Sequence, residues 1–115
     1  MRPLDSSEPL VALTTLETPS QAEALVRQLV DDRLVACGTV LPGATSIYRW
    51  EGAVETANET VVLLKTTGAR WTDLVAAVER HHPYSVPELL ALPVAAGLPT
   101  YLAWLASATG PETAA

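Results

Sequence analysis

The sequence predicts an α+β domain: a four-stranded antiparallel sheet with helices on one face, in the order β-α-β-β-α-β, followed by a terminal helix. Three observations lead there. Short aliphatic and β-branched runs alternate with stretches whose apolar residues recur at helical spacing. The two middle runs, residues 35–50 and 53–66, meet at Trp50-Glu51-Gly52-Ala53, where glycine can take the positive φ of a hairpin reversal. Two crossovers around one hairpin then define the ferredoxin-like arrangement.

Taken in order, residues 1–8 read as a disordered leader, because Pro3, Asp5, Ser6, Ser7 and Glu8 carry no periodicity. Leu10 to Thr15 is a contiguous run, expected as a short strand buried on both faces. Thr18-Pro19-Ser20-Gln21 is a helix start, with Thr18 as N-cap, Pro19 in the first turn and Gln21 three residues on. Ala22, Leu25, Val26, Leu29 and Val30 form one apolar face of that helix, which ends near Arg33. In the hairpin, Pro42-Gly43 removes a ladder donor and allows a bend, so the first arm is expected in two pieces. A second helix covers about Arg70 to His81 with Trp71, Leu74, Val75 and Val78 inward. His82-Pro83-Tyr84-Ser85-Val86-Pro87 is extended, since residues before proline avoid helix geometry. Glu88 to Leu92 is a strand stopped by Pro93, and Pro99 opens the last helix with Tyr101, Leu102 and Leu105 inward. Residues 9–109 thus form a single domain, with 110–115 as a tail.

The hairpin is disproportionate. Arms of this length span on the order of 45 Å at ~3.3 Å per residue, whereas a compact domain of this size has a radius of gyration of about 13 Å. Its protruding end carries Ile47, Tyr48 and Trp50, too apolar for a freely flexing tip, and these three are the expected subunit contact. Val61-Val62-Leu63-Leu64 is apolar on both sides, yet the helices cover only one. A second copy of the same sheet is the simplest cover.

Composition narrows the function. Of 115 residues 49% are hydrophobic and 17% charged, which fits a packed globule. A net charge of −6, with no basic run, argues against nucleic acid as partner. No apolar stretch is long enough to span a membrane and no signal-peptide layout opens the chain, so no membrane partner is expected. The single Cys37 allows no internal disulfide and fits the cytoplasm.

Few residues offer chemistry. Lys65 is the only lysine and ends a run of four aliphatics; it reads either as a snorkelling strand end or as an anion's partner, with Glu88 as a candidate carboxylate. His81 and His82 are the only imidazoles, good ligands for copper, zinc or nickel. Adjacent side chains diverge, so carboxylates or other subunits would have to complete a site. His82 reads also as a positioned hydrogen-bonding residue before Pro83. A closed zinc site is excluded by one Cys and two His, and Cys37 reads as a small buried hydrophobe rather than a reactive thiol. The pocket expected between subunits holds Trp50, Lys65, His82, Tyr84 and Glu88.

These residues carry a resemblance. Leu34 to Cys37, Pro42 to Gly52, Leu64-Lys65-Thr66, His82-Pro83-Tyr84, Pro87 to Val94 and Tyr101 to Leu105 together resemble the divalent-cation tolerance family called CutA, from about Leu10 to Ser107. The resemblance implies a ferredoxin-like homotrimer, similar in architecture to the PII signalling proteins, with long hairpins wrapping neighbouring subunits. It implies copper or another divalent cation at His81 and His82, with no obligatory cofactor. Some members are thought to add a first-strand cysteine; the position here is Thr14, a poor copper ligand.

Two functions are therefore expected: a cytoplasmic homotrimer with weak divalent-metal binding, or a PII-like trimeric sensor holding a small anionic ligand at Lys65 between subunits. An enzyme using Lys65 or His82 as acid or base comes third, because no oriented nucleophile or base pair is visible.

Overall fold

A computed structural model describes residues 4–111. Its elements are β1 (Pro9–Leu16), α1 (Pro19–Asp31), β2 (Cys37–Trp50), β3 (Ala53–Thr67), α2 (Trp71–His81), β4 (Leu90–Pro93) and α3 (Pro99–Ala108), with a 3-10 turn at Gly68–Arg70 leading into α2. The antiparallel sheet has the order β2-β3-β1-β4. This is the ferredoxin-like fold expected from the sequence.

Thr18 begins α1 with a reciprocal capping box: its hydroxyl accepts from the Gln21 N–H, and the Gln21 side chain accepts from the Thr18 N–H. Ala22, Leu25 and Leu29 point into the core, and Val30 turns outward. From α2, Leu74, Ala77 and Val78 meet them over Ala12, Leu16, Val62 and Leu64 of the sheet. Burying such a set is the main favourable term in folding. β1 is not buried on both faces. It alternates, with Leu10, Ala12 and Thr14 under the helices and Val11 and Leu13 half-covered on the opposite face. That second face continues through Val61, Leu63 and Lys65 of β3 and Leu90 and Leu92 of β4.

The hairpin turns through two residues, Glu51 and Gly52, both at positive φ, the geometry that matches the twist of paired strands. β2 is one strand rather than two, interrupted by a bulge. Leu41 pairs with Val61 and Ala44 with Glu59, so Pro42 and Gly43 together oppose Thr60, with Gly43 at φ 83°. The extra residue exchanges odd and even positions. Cys37, Thr39 and Leu41 share a face before the bulge; Ala44, Ser46, Tyr48 and Trp50 continue it afterwards. The ribbon makes the molecule long, 50 Å in its greatest extent, with a radius of gyration of 15.0 Å. Ile47 is 71% and Val54 63% exposed, with Tyr48 and Trp50 nearly half so.

α3 does not join the helical layer. The Tyr101 hydroxyl stands 3.8 Å from Cys37 Sγ, which places α3 against the opposite face of the sheet. There only Leu105 is buried deeply; Tyr101, expected inward, is exposed, as is Trp104, and the two lean on each other. Cys37 is half-buried rather than buried. The carbonyls at the end of α3 are satisfied by two guanidinium groups: Arg33 donates to Ser107 and Gly110, and Arg70 to Thr109. Of the leader expected to lack structure, residues 1–3 lie outside the described residues. Asp5 to Glu8 form a turn whose Ser6 and Glu8 carbonyls accept from Ala69 and Gly68, partners too distant in sequence for periodicity to reveal. Of the expected tail, 112–115 also lie outside the described residues.

The capping box generates a direct expectation. Thr18→Ala lowers stability by about 1 kcal/mol, read as a lower urea midpoint with an unchanged m-value.

Candidate functional site

At the root of the ribbon, the loop after α2 is tied to the sheet by the His-Pro-Tyr segment. His82 is 7% exposed. Its Nδ1 accepts from the Tyr84 N–H at 3.1 Å, which leaves Nε2 carrying the proton, and Nε2 donates to the Thr15 carbonyl at 2.8 Å. The ring is thus held as one neutral tautomer with both nitrogens engaged. Tyr84 packs edge-on against it at 4.7 Å between centroids and donates its hydroxyl to Glu59 Oε2 at 2.9 Å.

Glu59 is the centre of this network. Burial alone pushes its carboxyl up, but hydrogen bonds from Ser46, Tyr84 and Thr15 outweigh burial and hold it below its ordinary value. The Tyr84 phenol moves the other way. Burial, the hydrogen bond to Glu59 and the nearby negative charge push it far above the usual tyrosine range, so it stays a donor.

Beside this network opens a groove of about 970 Å³. Tyr48, Trp50 and Tyr84 give it aromatic walls; Glu17, Glu59 and Glu88 give it three carboxylates, and no Lys, Arg or His lines it. Of the pocket expected from sequence, Trp50, Tyr84 and Glu88 therefore meet here, with His82 behind Tyr84. Lys65 does not join them within one chain. It pairs with Val11 and Cys37 and donates to Thr39 Oγ1 at 3.3 Å. It lies six positions along β3 from Glu59, about 20 Å. Sequence reasoning does not single out Glu17, Ser46 or Glu59. A signal for Glu59 exists: it shares strand parity with Val61 and Leu63, so a carboxylate directly adjoins an aliphatic stretch of one face.

The imidazoles make no chelate in this geometry. His81 is exposed at the end of α2, and His82 would have to give up a hydrogen bond to ligate an ion. Thr14 lies under the helices, fully buried with its hydroxyl unpartnered, and does not line the groove. Among the described residues, no three His, Cys, Asp or Glu side chains gather as metal donors.

A ferredoxin-like sheet with an overlong central ribbon, tied at its root by a buried histidine, defines the class. The chain belongs to the CutA divalent-cation tolerance family, since the family described as CutA1 divalent ion tolerance protein matches residues 10–108. The divalent-cation tolerance protein CutA of Salmonella newport (strain SL254) is 44% identical over 98 residues, covering 85% of each chain. The solved divalent cation tolerance protein (Cut A1) of Thermus thermophilus superposes with a TM-score of 0.86 at 43% identity, over 89% of this chain and 99% of its own. A neighbour from Archaeoglobus fulgidus, described as the periplasmic divalent cation tolerance protein CutA, gives 0.86 at 26% identity over the same shares. Among the described residues, no helix is long and apolar enough to cross a membrane.

Two expectations follow from the network. His82→Ala strands the Thr15 carbonyl and the Tyr84 N–H and costs about 2–4 kcal/mol of stability, measured by urea unfolding. Glu59 has a folded value below its ordinary 4.5, so its contribution is present above that pH and is lost as pH falls through the folded value. Glu59→Gln should therefore flatten the acid side of a stability–pH curve and leave its slope between pH 6 and 8 unchanged.

Proposed function

We propose that the protein is a cytoplasmic homotrimer that confers tolerance to divalent cations by binding them weakly and reversibly. The observation that carries this reading is the groove, which concentrates three carboxylates without a cationic side chain among its lining residues. Such a surface attracts cations and repels the small anionic ligand of the sensor reading. Carboxylate oxygens suit hard divalent ions, and His81, exposed beside the clamp, is the imidazole most available to copper. Weak binding agrees with donors that are spread out rather than gathered.

The trimer is supported by apolar surface. Ile47, Tyr48, Trp50 and Val54 on the ribbon, with Leu41, Leu90 and Leu92 on the face that α3 crosses, are all exposed in the single chain. Subunits sharing these surfaces would place one ribbon against the next body, where Lys65 of one chain could approach the groove of another. The lone cysteine fits a reducing compartment.

Light scattering should give three times the 12.2 kDa chain mass, and Ile47→Asp should shift the population towards smaller species. Calorimetric titration with copper and zinc should show weak saturable binding that His81→Ala and Glu88→Gln each reduce. Copper affinity unchanged in both variants would remove the metal assignment.

A further inference from the structure

The end of the sheet farthest from the ribbon tip carries a feature that the cation reading does not use. Asp5 to Glu8 lie outside the region that the family matches, residues 10–108, yet they are built into the body. The Glu8 N–H donates to the Asp5 carbonyl at 3.1 Å and closes a turn. The Ser7 N–H and hydroxyl each donate to Asp5 Oδ1 at 2.8 Å and pin that turn from inside. The turn then offers two carbonyls to another element: the Gly68 N–H donates to Glu8 and the Ala69 N–H to Ser6, both at 2.9 Å.

Those two donors belong to the 3-10 turn Gly68–Arg70 that leads into α2. The first donors of a helical segment have no partner within it, and neither Thr67 nor Arg70 supplies a side-chain cap here. The N-terminal strap caps them from its backbone instead. It lies so close that a Cβ on Gly68 would collide with the Asp5 carbonyl oxygen. From the same 3-10 turn, Arg70 reaches the other way, and its Nε donates to the Thr109 carbonyl at 2.6 Å. One three-residue turn therefore carries the strap on its backbone and the end of α3 on its side chain. Arg33 holds the neighbouring carbonyls of Ser107 and Gly110 independently.

Ordering four residues costs conformational entropy of the same order as a few hydrogen bonds return. An element in that balance opens locally, well before the sheet does. We propose that residues 5–8 are a releasable latch. Closed, they hold the 3-10 turn and, through Arg70, the end of α3. Open, they free the turn and loosen that helix end, while the sheet and its helical layer stay folded. The latch works where Pro9 pairs with Thr67, at the opposite end of β3 from Ala53 and the ribbon tip.

The test is native-state amide exchange on the full-length protein. Gly68→Ala drives a methyl group against the strap. It should speed exchange at positions 68 and 69 about tenfold or more, as loss of one or two hydrogen bonds gives. Thr109 and Gly110 should follow by about threefold or more, with Val62 and Leu64 unchanged. Ser7→Pro removes both donors to Asp5 and should act in the same way; it decides the matter if Gly68→Ala fails to fold. With Arg70→Met in place, Ser7→Pro should no longer alter Thr109 or Gly110, because the link is gone. Unchanged exchange at positions 68 and 69 overturns the proposal, as does acceleration there with Thr109 and Gly110 unmoved. Equal acceleration at Val62 and Leu64 overturns it too, since the strap would then act only on global stability. So does an effect on Thr109 that persists alongside Arg70→Met.

Discussion

The pairing of β2 with β3 is the constraint on which the rest depends. Its register runs from Cys37 opposite Lys65 in the body to Trp50 opposite Ala53 at the tip, so the inward-facing backbone donors and acceptors of the two arms satisfy each other along the ribbon. Nothing in the ladder requires the ribbon to stay within the globule, and it does not. The cost appears in the side chains, because Ile47 and Val54 remain in water although both arms they belong to are paired with each other. The groove forms where this ribbon leaves the body, and the loop from His82 to Glu88 provides its other wall.

That wall is held by a histidine serving as a double-ended connector. His82 joins the backbone of β1 to the backbone of its own loop, and Tyr84 carries the connection to Glu59 on β3. A buried, fully engaged polar chain of this kind is costly to leave half-made, so it fixes the loop in one place. The same engagement separates the two adjacent imidazoles chemically: one is structural, the other lies at the surface. The negative charge that gives the site its character comes from glutamates.

Much of this is legible in the sequence, and for local reasons. Thr18 to Gln21, Glu51-Gly52 and Pro42-Gly43 each specify a conformation through residues only a few positions apart, and each appears in the structure. The element order needs only periodicity and punctuation. What escapes depends on partners far along the chain. Sequence reasoning groups Lys65 with Tyr84 across a subunit boundary; that the two lie far apart within one chain follows from strand register, which cannot be measured from one sequence. It passes over Glu59 because the neighbours of that carboxylate, Ser46, Tyr84 and Thr15, come from three other segments. It turns Tyr101 inward because helical spacing cannot tell which face of a sheet a terminal helix will cross.

The bulge at Pro42-Gly43 has a consequence for how relatives of this chain can diverge. It sets the phase that brings Tyr48 and Trp50 onto the groove side, and deleting one residue from each arm between bulge and tip would turn the aromatic surface over and present Ile47 and Arg49 instead. A ribbon can therefore be lengthened or trimmed between bulge and tip only in matched steps of two residues per arm. Length variation among ribbons of this type should come in even increments, a parity rule imposed by the pleat itself.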